Sequence, residues 1–542
     1  METGADDQPT EKRLATALLI CGLLLGAALL LIRAGAQNTL SHDDAISYLA
    51  ATGHMGAYAT EIPAGRWVPA QAWQAYWTPD RFGIFRQIGR DLARYDIHPP
   101  LYFWLLHIWI QVTGVRLSAG PLLNTAFLLL GAWIIALACR LARCSRGASA
   151  LAAVMWLLSG ATLSVAGETR QYSLLGLAVA GLAASLLLFL DRRSVAAALL
   201  VYATAAAGLL VHYQFAIVLA LAVLVAALLL ARGRQARAVA FLFGVSAAAG
   251  VTFLLLHPAF MGSFAMQRSQ AVPFVWTDIP YRMTRILYAL FEQVLPARMA
   301  RMIVNAAARY WGLCLLMALA AGLVAWLVAR RRAGGGRASR ASWADGEIFL
   351  LTLTAATLLL VSAMYIFQIS PRHAMGAQYL MAVSPLLFMT GAKVFDRLAS
   401  GIRWRPVLIL VLIVYQAAYG GWTTRAQVRT ASERPTAEHP PAVLDLGSPI
   451  LLDSVARGVL PTVLWHVQGA TPVYAAMQDD LLGGFPAIPG DVRRLVYVSD
   501  LRYGNDTAKQ GRVLEQLAAQ GFRSVARKGS VFGVGEVFEV TR

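Results

Sequence analysis

Charged side chains are scarce in this sequence, since Asp, Glu, Lys and Arg make up only 14% of its 542 residues. Soluble domains carry about 25% charged residues, so the shortage excludes an ordinary soluble protein. Hydrophobic residues reach 58% instead. The composition alone therefore predicts a membrane protein.

Cysteine is also scarce, and none of the four cysteines lies in a segment predicted to face outward. They are Cys21, Cys139, Cys144 and Cys314. The outward-facing part therefore has no disulfide framework, and the cysteines do not have the spacing of a metal site.

Acidic residues are fewer than basic ones, which gives a formal net charge of +18. Many of the basic residues fall in short segments between apolar runs: Lys12-Arg13; Arg140, Arg143, Arg146; Arg192-Arg193; Arg232, Arg234, Arg237; Arg330-Arg331-Arg332, Arg337, Arg340; and Lys393, Arg397, Arg403, Arg405. Dispersed loop charges do not form one continuous stripe, so nucleic-acid binding is excluded. They follow the positive-inside rule, which orients membrane helices.

Runs of about 20 apolar residues are long enough to cross a bilayer. Eleven spans are predicted, at 14–32, 119–139, 148–166, 172–190, 195–211, 215–231, 238–256, 310–329, 347–367, 376–392 and 406–421. The apolar stretch 98–114 is left out, because a further crossing there would invert every later basic loop. It is predicted to be an interfacial helix instead.

This topology predicts a multi-pass protein of the plasma (inner) membrane with a cytoplasmic N-terminus. The first apolar run is too long for a signal peptide and is interpreted as an uncleaved helix. Residues 1–421 form the predicted membrane domain, with an external loop at 33–118. Residues 422–542 alternate short apolar runs with helical patterns, which predicts a small α/β domain outside the membrane.

The most informative residues are Asp43 and Asp44, which follow the first span and open the external loop. Ser41 followed by Asp44 has the form of a capping box, with Gly53 closing the helix. That structural role explains Asp44 better than Asp43. Asp43 is left to face a cavity, where a carboxylate can act as a base.

Other chemistry-bearing residues fall on the same predicted face. They are His98 before Pro99-Pro100, Glu168-Thr169-Arg170-Gln171-Tyr172, His212-Tyr213, and Arg372-His373 with Tyr379. Structural alternatives remain: Glu168 and Arg170 pairing with each other in a solvated turn, a helix start at His98, and a structural histidine at His212. Trp67, Trp73, Tyr76 and Trp77 suit either a stacked sugar or an interfacial aromatic belt.

With these motifs in view, the first 390 or so residues resemble the GT-C membrane glycosyltransferases. The similar relatives are the polyprenyl- or dolichyl-phosphate-mannose-dependent protein mannosyltransferases and the aminoarabinose lipid A transferases. The resemblance is carried by Asp43-Asp44-Ala45, His98-Pro99-Pro100-Leu101-Tyr102, Glu168-x-Arg170-x-Tyr172, and Arg372 followed by Tyr379 and Pro385. The chain departs from the family in having Asp44 where Glu is common, and His373 where Tyr is usual.

The resemblance implies a hexosyl- or pentosyltransferase that uses a polyprenyl-phosphate sugar donor with inversion. The acceptor would be a hydroxyl of a cell-envelope glycan, lipid or protein on the external face. Asp43, with Asp44, matches the catalytic acids; His98, Glu168, Arg170, Tyr172 and Arg372 match donor or phosphate contacts; and His212, Tyr213 and Tyr379 would line the cavity.

No metal ligand set is predicted, and a divalent metal cofactor is left open. Two other functions also stay open: a lipid or lipid-linked-sugar flippase, and a non-catalytic assembly partner. A flippase is expected to have polar residues near the middle of the membrane and an internal repeat. The sequence shows neither feature.

Overall fold

The computed structural model describes residues 9–38, 40–263, 275–309, 345–368, 376–400, 402–433, 447–500, 507–531 and 535–542. The apolar run 310–329 and the turn residues Arg372 and His373 lie outside these ranges. Their predicted roles stay predictions.

The helices are numbered here in chain order. They are α1 (Pro9–Gly35), α2 (His42–Ala51), α3 (Met55–Thr60), α4 (Ala70–Gln74), α5 (Phe85–Tyr95), α6 (Leu101–Thr113), α7 (Ala119–Leu141), α8 (Arg146–Leu157), α9 (Gly160–Ala166), α10 (Tyr172–Arg192), α11 (Val195–Val211), α12 (Gln214–Arg232), α13 (Ala236–Leu256), α14 (Ile279–Phe291), α15 (Ala297–Arg309), α16 (Asp345–Gln368), α17 (Ser384–Leu398), α18 (Arg405–Glu433), α19 (Leu460–Leu464), α20 (Gln478–Gly483) and α21 (Thr507–Ala519).

Long apolar helices confirm that the chain is a multi-pass membrane protein. Within the described ranges, 7 helices are long and apolar enough to cross a membrane, namely α1, α7, α10, α12, α13, α16 and α18. The candidate span 148–166 is a bent pair instead, because α8 and α9 meet at an angle of 48°. Ser159 starts α9 by accepting a hydrogen bond from the backbone N–H of Thr162, as an N-cap does.

The predicted span 376–392 is not one continuous helix. A 3-10 helix, Ala377–Ala382, precedes α17, which has Pro385 in its first turn. Proline lacks the backbone N–H that a helix interior requires, so the α-helix begins here rather than passing through.

The stretch predicted to be interfacial forms α6, a helix of 13 residues that follows Pro99 and Pro100. At 1.5 Å per residue it extends for about 20 Å, which is short of the roughly 30 Å hydrocarbon layer. Its length supports the prediction that it does not span.

The C-terminal part contains a mixed six-stranded sheet with the order β1-β3-β2-β4-β6-β5. The strands are β1 (Trp67–Pro69), β2 (Ile450–Leu452), β3 (Pro472–Ala475), β4 (Arg494–Asp500), β5 (Ser524–Val531) and β6 (Gly535–Thr541). Strand β2 pairs in parallel with β3 and β4, and the other neighbours are antiparallel. The predicted α/β domain is thus present, but its edge strand β1 comes from the external loop.

The division predicted between residues 421 and 422 falls inside α18, which continues to Glu433. The aromatic segment of the loop joins the C-terminal part as well. Trp73 is fully buried and Trp77 nearly so, in one cluster with Val463 and Leu464. These two tryptophans therefore neither form a membrane belt nor stand free to stack on a sugar.

Candidate active site

The N-terminus of α2 anchors the candidate site. Ser41 and Asp44 form the predicted capping box, with 3.1 Å hydrogen bonds in both directions between backbone N–H and side-chain oxygen. Asp44 also accepts from the Gln37 amide and from the backbone N–H of Thr169. Because it is only 1% exposed and accepts hydrogen bonds on both oxygens, its geometry supports a structural role that ties α2 to the α9–α10 turn.

Asp43 contacts the same turn but is less buried, since its side chain is 54% exposed. Its carboxylate lies 2.8 Å from Nη2 of Arg170 and 3.2 Å from Nδ1 of His42. Partial burial alone would raise the pKa of Asp43, but the hydrogen bond from His42 and the charge of Arg170 outweigh it and hold the pKa below its usual range. The carboxylate is therefore ionised at neutral pH.

Arg170 is the buried cation of the site and is only 6% exposed. Burial alone would lower its pKa, but the negative charges of Asp43 and Asp96 outweigh burial and raise it. Its Nε and Nη1 atoms have no hydrogen-bond partner in the part of the chain that the structure describes. Buried donors without partners are costly, so they suit a ligand that supplies oxygen acceptors.

Asp96 and His98 form a hydrogen-bonded pair beside Arg170. The carboxylate of Asp96 is 2.6 Å from Nδ1 of His98 and also accepts from the backbone N–H of Ile97. Burial alone would raise the pKa of Asp96, but the charge and hydrogen bond of His98 lower it to about 2. The structure thus adds Asp96 to the site, and its only sequence signal was its place two residues before His98.

Rings from four segments line the space next to these charges. The ring centroids of His212 and His98 are 6.0 Å apart, those of Tyr172 and His212 are 5.7 Å apart, and those of Tyr172 and Tyr379 are 6.4 Å apart. Burial, followed by the charges of His98 and Arg170, lowers the pKa of His212 to about 3. His212 is therefore neutral at physiological pH.

Tyr213 points to a different partner, since its hydroxyl lies 2.9 Å from Nε2 of His257. Its ring also stacks on that histidine. The structure therefore brings Tyr172, His212 and Tyr379 together near the charges and gives Tyr213 a contact of its own.

Glu168 sits in the same turn as Arg170 but does not hold it in an ion pair, because the guanidinium turns to Asp43. The expected alternative, a solvated Glu168–Arg170 pair, is therefore not what the turn forms. Burial, and then the negative charges of Asp44 and Asp43, raise the pKa of the Glu168 carboxyl to about 7. The side chain thus titrates near neutral pH.

The turn can approach α7 closely because residue 120 is glycine. A Cβ at Gly120 would lie 2.2 Å from the Thr169 side chain, while the Gly120 N–H donates to the Tyr48 hydroxyl at 2.9 Å. A glycine in an apolar helix gave no sequence signal for this role.

The C-terminal part also contacts the site. Arg457 donates to the carbonyl of Tyr95 at 2.6 Å, and the Tyr58 hydroxyl donates to the carbonyl of Val455 at 3.0 Å. Gly458 lies against the ring of His42, where an added Cβ would be 1.9 Å from Cδ2. The segment 455–458 therefore braces both stretches of the loop that carry site residues.

Among the described residues, no three His, Cys, Asp or Glu side chains cluster so that they could hold a metal ion. Asp43 is engaged by Arg170 and His42, and Asp44 by N–H donors. These residues do not fit a resident divalent metal.

No protein-family model and no curated protein sequence matches the chain. Solved structures do match its fold. ArnT from Cupriavidus metallidurans bound to undecaprenyl phosphate aligns over 95% of this chain and 97% of its own, with a TM-score of 0.51 and 13% identity. Its apo state aligns over the same shares, with a TM-score of 0.51 and 15% identity. The apo oligosaccharyltransferase of Archaeoglobus fulgidus aligns over 94% of this chain and 72% of its own, with a TM-score of 0.47 and 14% identity.

Proposed function

We propose that this chain, which has the GT-C fold, transfers a sugar from a polyprenyl-phosphate donor to a hydroxyl acceptor with inversion. The observation that carries the proposal is the ion pair between Asp43 and the buried Arg170. It places an ionised carboxylate beside a cation whose Nε and Nη1 atoms have no hydrogen-bond partner among the described residues. ArnT, similar in fold, was solved with undecaprenyl phosphate, which supports a polyprenyl-phosphate donor here.

In the proposed mechanism, the acceptor oxygen attacks the anomeric carbon of the sugar from the face opposite the phosphate. The bond between the anomeric carbon and the phosphate oxygen breaks, and its electron pair stays on the lipid phosphate. The proton of the acceptor hydroxyl passes to the carboxylate of Asp43. Arg170 and His98 stabilise the departing phosphate, as cations aimed at developing charge do. Arg372, which lies outside the described residues, is proposed as a further phosphate contact.

A carboxylate with a low pKa is a weak base, so the mechanism requires the Arg170 guanidinium to pair with the donor phosphate rather than with Asp43. Arg170 holds the pKa of Asp43 down in the free protein. A bound phosphate competes for the same guanidinium, which makes Asp43 more basic when the donor is in place. Base strength then rises toward the value needed for proton transfer.

The proposed orientation puts the site on the external face of the plasma (inner) membrane. This orientation requires the basic loops to lie at the same end of the helix bundle. Contacts between residues of these loops and their neighbours support that arrangement. Lys393 contacts Glu347 at 2.9 Å and the carbonyl of Arg143 at 3.1 Å, while Arg405 pairs with Asp396. This cluster supports a cytoplasmic N-terminus, with the C-terminal sheet on the opposite side beside α2.

Transfer from a panel of polyprenyl-phosphate sugars tests the proposal. The full chain in native membranes is supplied with each donor, and the modified acceptor is identified by its mass. We expect transfer from one sugar class. Translocation of a donor without transfer would favour the flippase, and donor binding with neither process would favour the assembly partner.

Replacing Gly458 with Ala should lower transfer by about 100-fold, the loss that a misplacement of 1 Å can cause. The new methyl group would collide with His42, whose Nδ1 contacts Asp43. The initial rate of sugar transfer is measured. Gly490→Ala is the matched control, because nothing lies within 4 Å of its Cβ. In a His42→Ala background the collision disappears, so Gly458→Ala should cause no further loss; an equal loss in both backgrounds would refute the collision.

Replacing Glu168 with Gln should flatten the pH dependence of stability. The pKa of Glu168 is raised from 4.5 to about 7 in the folded chain, so the folded state binds more protons between these values. Stability therefore falls as pH rises through this window in the wild type, and the variant lacks this loss. Apparent melting temperatures in detergent from pH 4.5 to 7 provide the measurement. Glu61→Gln, at an exposed site, is the control and should retain the wild-type slope; parallel slopes for wild type and Glu168→Gln would contradict the expectation.

A further inference from the structure

A groove of about 510 Å³ lies next to the candidate active site and is used by none of the roles above. It is lined by the end of α1 and the residues after it, the end of α4 and the residues after it, the loop before α7, and the C-terminal part. Its lining includes Gln37, Gln74, Thr78, Arg116, Ser118 and Trp465. Sites for small molecules have volumes of about 300–1,000 Å³. The groove is therefore large enough for a ligand of that class.

The lining favours a sugar over a lipid chain. Two amide and two hydroxyl side chains line it, and Arg116 is the one charged side chain among the described lining residues. An acyl chain would bury these polar groups without hydrogen bonds, which is costly. A saccharide offers hydroxyls to the polar groups and apolar ring faces to an indole such as the half-exposed Trp465. Arg116 in addition suits a carboxylate or phosphate group.

The groove is held rigidly. Gln74 donates from its side chain to the carbonyls of Leu464 and Val467, at 3.0 and 2.7 Å, which fixes the segment that carries Trp465. The Tyr48 hydroxyl donates to the carbonyl of Arg116 at 2.6 Å. A preformed wall lowers the entropic cost of binding a polar ligand.

The same walls connect the groove to α2, the helix that carries Asp43. Gln37 lines the groove and donates to Asp44 at 3.4 Å. The ring of Trp465 lies 5.9 Å from that of Tyr48, on the same helix. Two residues of the groove wall therefore contact the helix that carries the proposed base.

We propose that this groove binds a saccharide portion of the acceptor that carries an anionic group. Resting on the proposed function, this inference narrows the acceptor from glycan, lipid or protein to one with an acidic sugar near its reacting hydroxyl. Arg116 pairs with the anion, and Trp465 stacks on a sugar ring.

Retention of oligosaccharides by the purified full chain in detergent tests the inference. The panel contains neutral trisaccharides (maltotriose and N,N′,N″-triacetylchitotriose), a uronic-acid trisaccharide and a phosphorylated trisaccharide. We expect the acidic members to bind more tightly than the neutral ones, with the carboxylate and phosphate arms showing which anion is preferred. Arg116→Gln should reduce acidic binding about tenfold or more, the loss of one charged hydrogen bond, and leave neutral binding as it was.

Trp465→Ala should weaken all of these sugars by about tenfold, and Trp465→Phe should restore binding because the ring is retained. Trp67→Ala is the matched control. Trp67 is also a half-buried external tryptophan, but it packs on Tyr474 outside the groove. Equal binding by wild type, Arg116→Gln and Trp465→Ala, or no retention of any trisaccharide, would overturn the inference.

Binding of polyprenyl phosphate to the wild-type chain is measured in parallel and bears only on the proposed function. Sugar retention that depends on Arg116, in a chain that neither binds this lipid nor transfers sugar, would support the groove and refute the proposed donor. Transfer that is equally efficient to neutral and acidic acceptors would refute the groove and leave the proposed function standing.

Discussion

Asp43→Asn is expected to lower sugar transfer by about 100- to 10,000-fold, the contribution of a positioned general base. The amide keeps the size of the side chain and can still accept a hydrogen bond from Arg170, so the fold is retained. It cannot take the proton of the acceptor hydroxyl. Transfer rates at saturating donor, together with the yield of folded chain in detergent, provide the measurement.

Asp44→Ala is the matched control for Asp43→Asn and should show the opposite pattern. Asp44 is buried and accepts from the N–H groups of Ser41 and Thr169. Truncation leaves both donors without this acceptor, and the buried N–H of Thr169 then costs about 1–3 kcal/mol. We therefore expect loss of folded chain from Asp44→Ala, but loss of rate with normal yield from Asp43→Asn. Wild-type transfer by Asp43→Asn would remove Asp43 as the base.

The sequence predicted those parts of the structure that depend on neighbours along the chain. Long apolar runs specify long helices, because a bilayer span needs length and composition alone. The capping box of Ser41 and Asp44 was readable because both residues lie within one helical turn. The break before α17 had a local signal too, in Pro385, which the prediction of a continuous span from 376 to 392 did not use.

Contacts between distant segments could not be read in this way. Glu168 is the near neighbour of Arg170 in sequence, yet the guanidinium pairs with Asp43, because Thr169 is bound to Asp44 and the turn is packed against Gly120. The three-residue strand β1 likewise has no pattern of its own that indicates its partner, β3. Sequence motifs thus singled out many of the residues that the structure brings together, whereas their pairing required the fold.

Arg170→Gln is expected to reduce transfer by about 100- to 1,000-fold, the loss found when one donor to a developing oxyanion is removed. The change removes a positive charge that helps to lower the pKa of both Asp43 and Asp96. Both carboxylates then repel the donor phosphate, so donor KM should rise as kcat falls. Arg66→Gln, at an exposed position of the external loop, is the control. Arg170→Lys restores the charge but not the forked donors, so it should recover only part of the rate.

The double variant Asp43→Asn with Arg170→Gln separates a catalytic pair from a structural one. Arg170 is the buried partner of this pair. Removing the partner of a buried charge leaves that charge uncompensated, whereas removing both groups often costs little stability. If the pair served only the fold, the double variant would regain the activity that the single variants lose. If Asp43 takes the proton and Arg170 binds the phosphate, the double variant should have a higher melting temperature than Asp43→Asn. Its transfer rate should nevertheless stay as low as that of the slower single variant. Because the two changes are in contact, their effects on stability should be non-additive, and a full thermodynamic cycle in detergent measures that coupling directly.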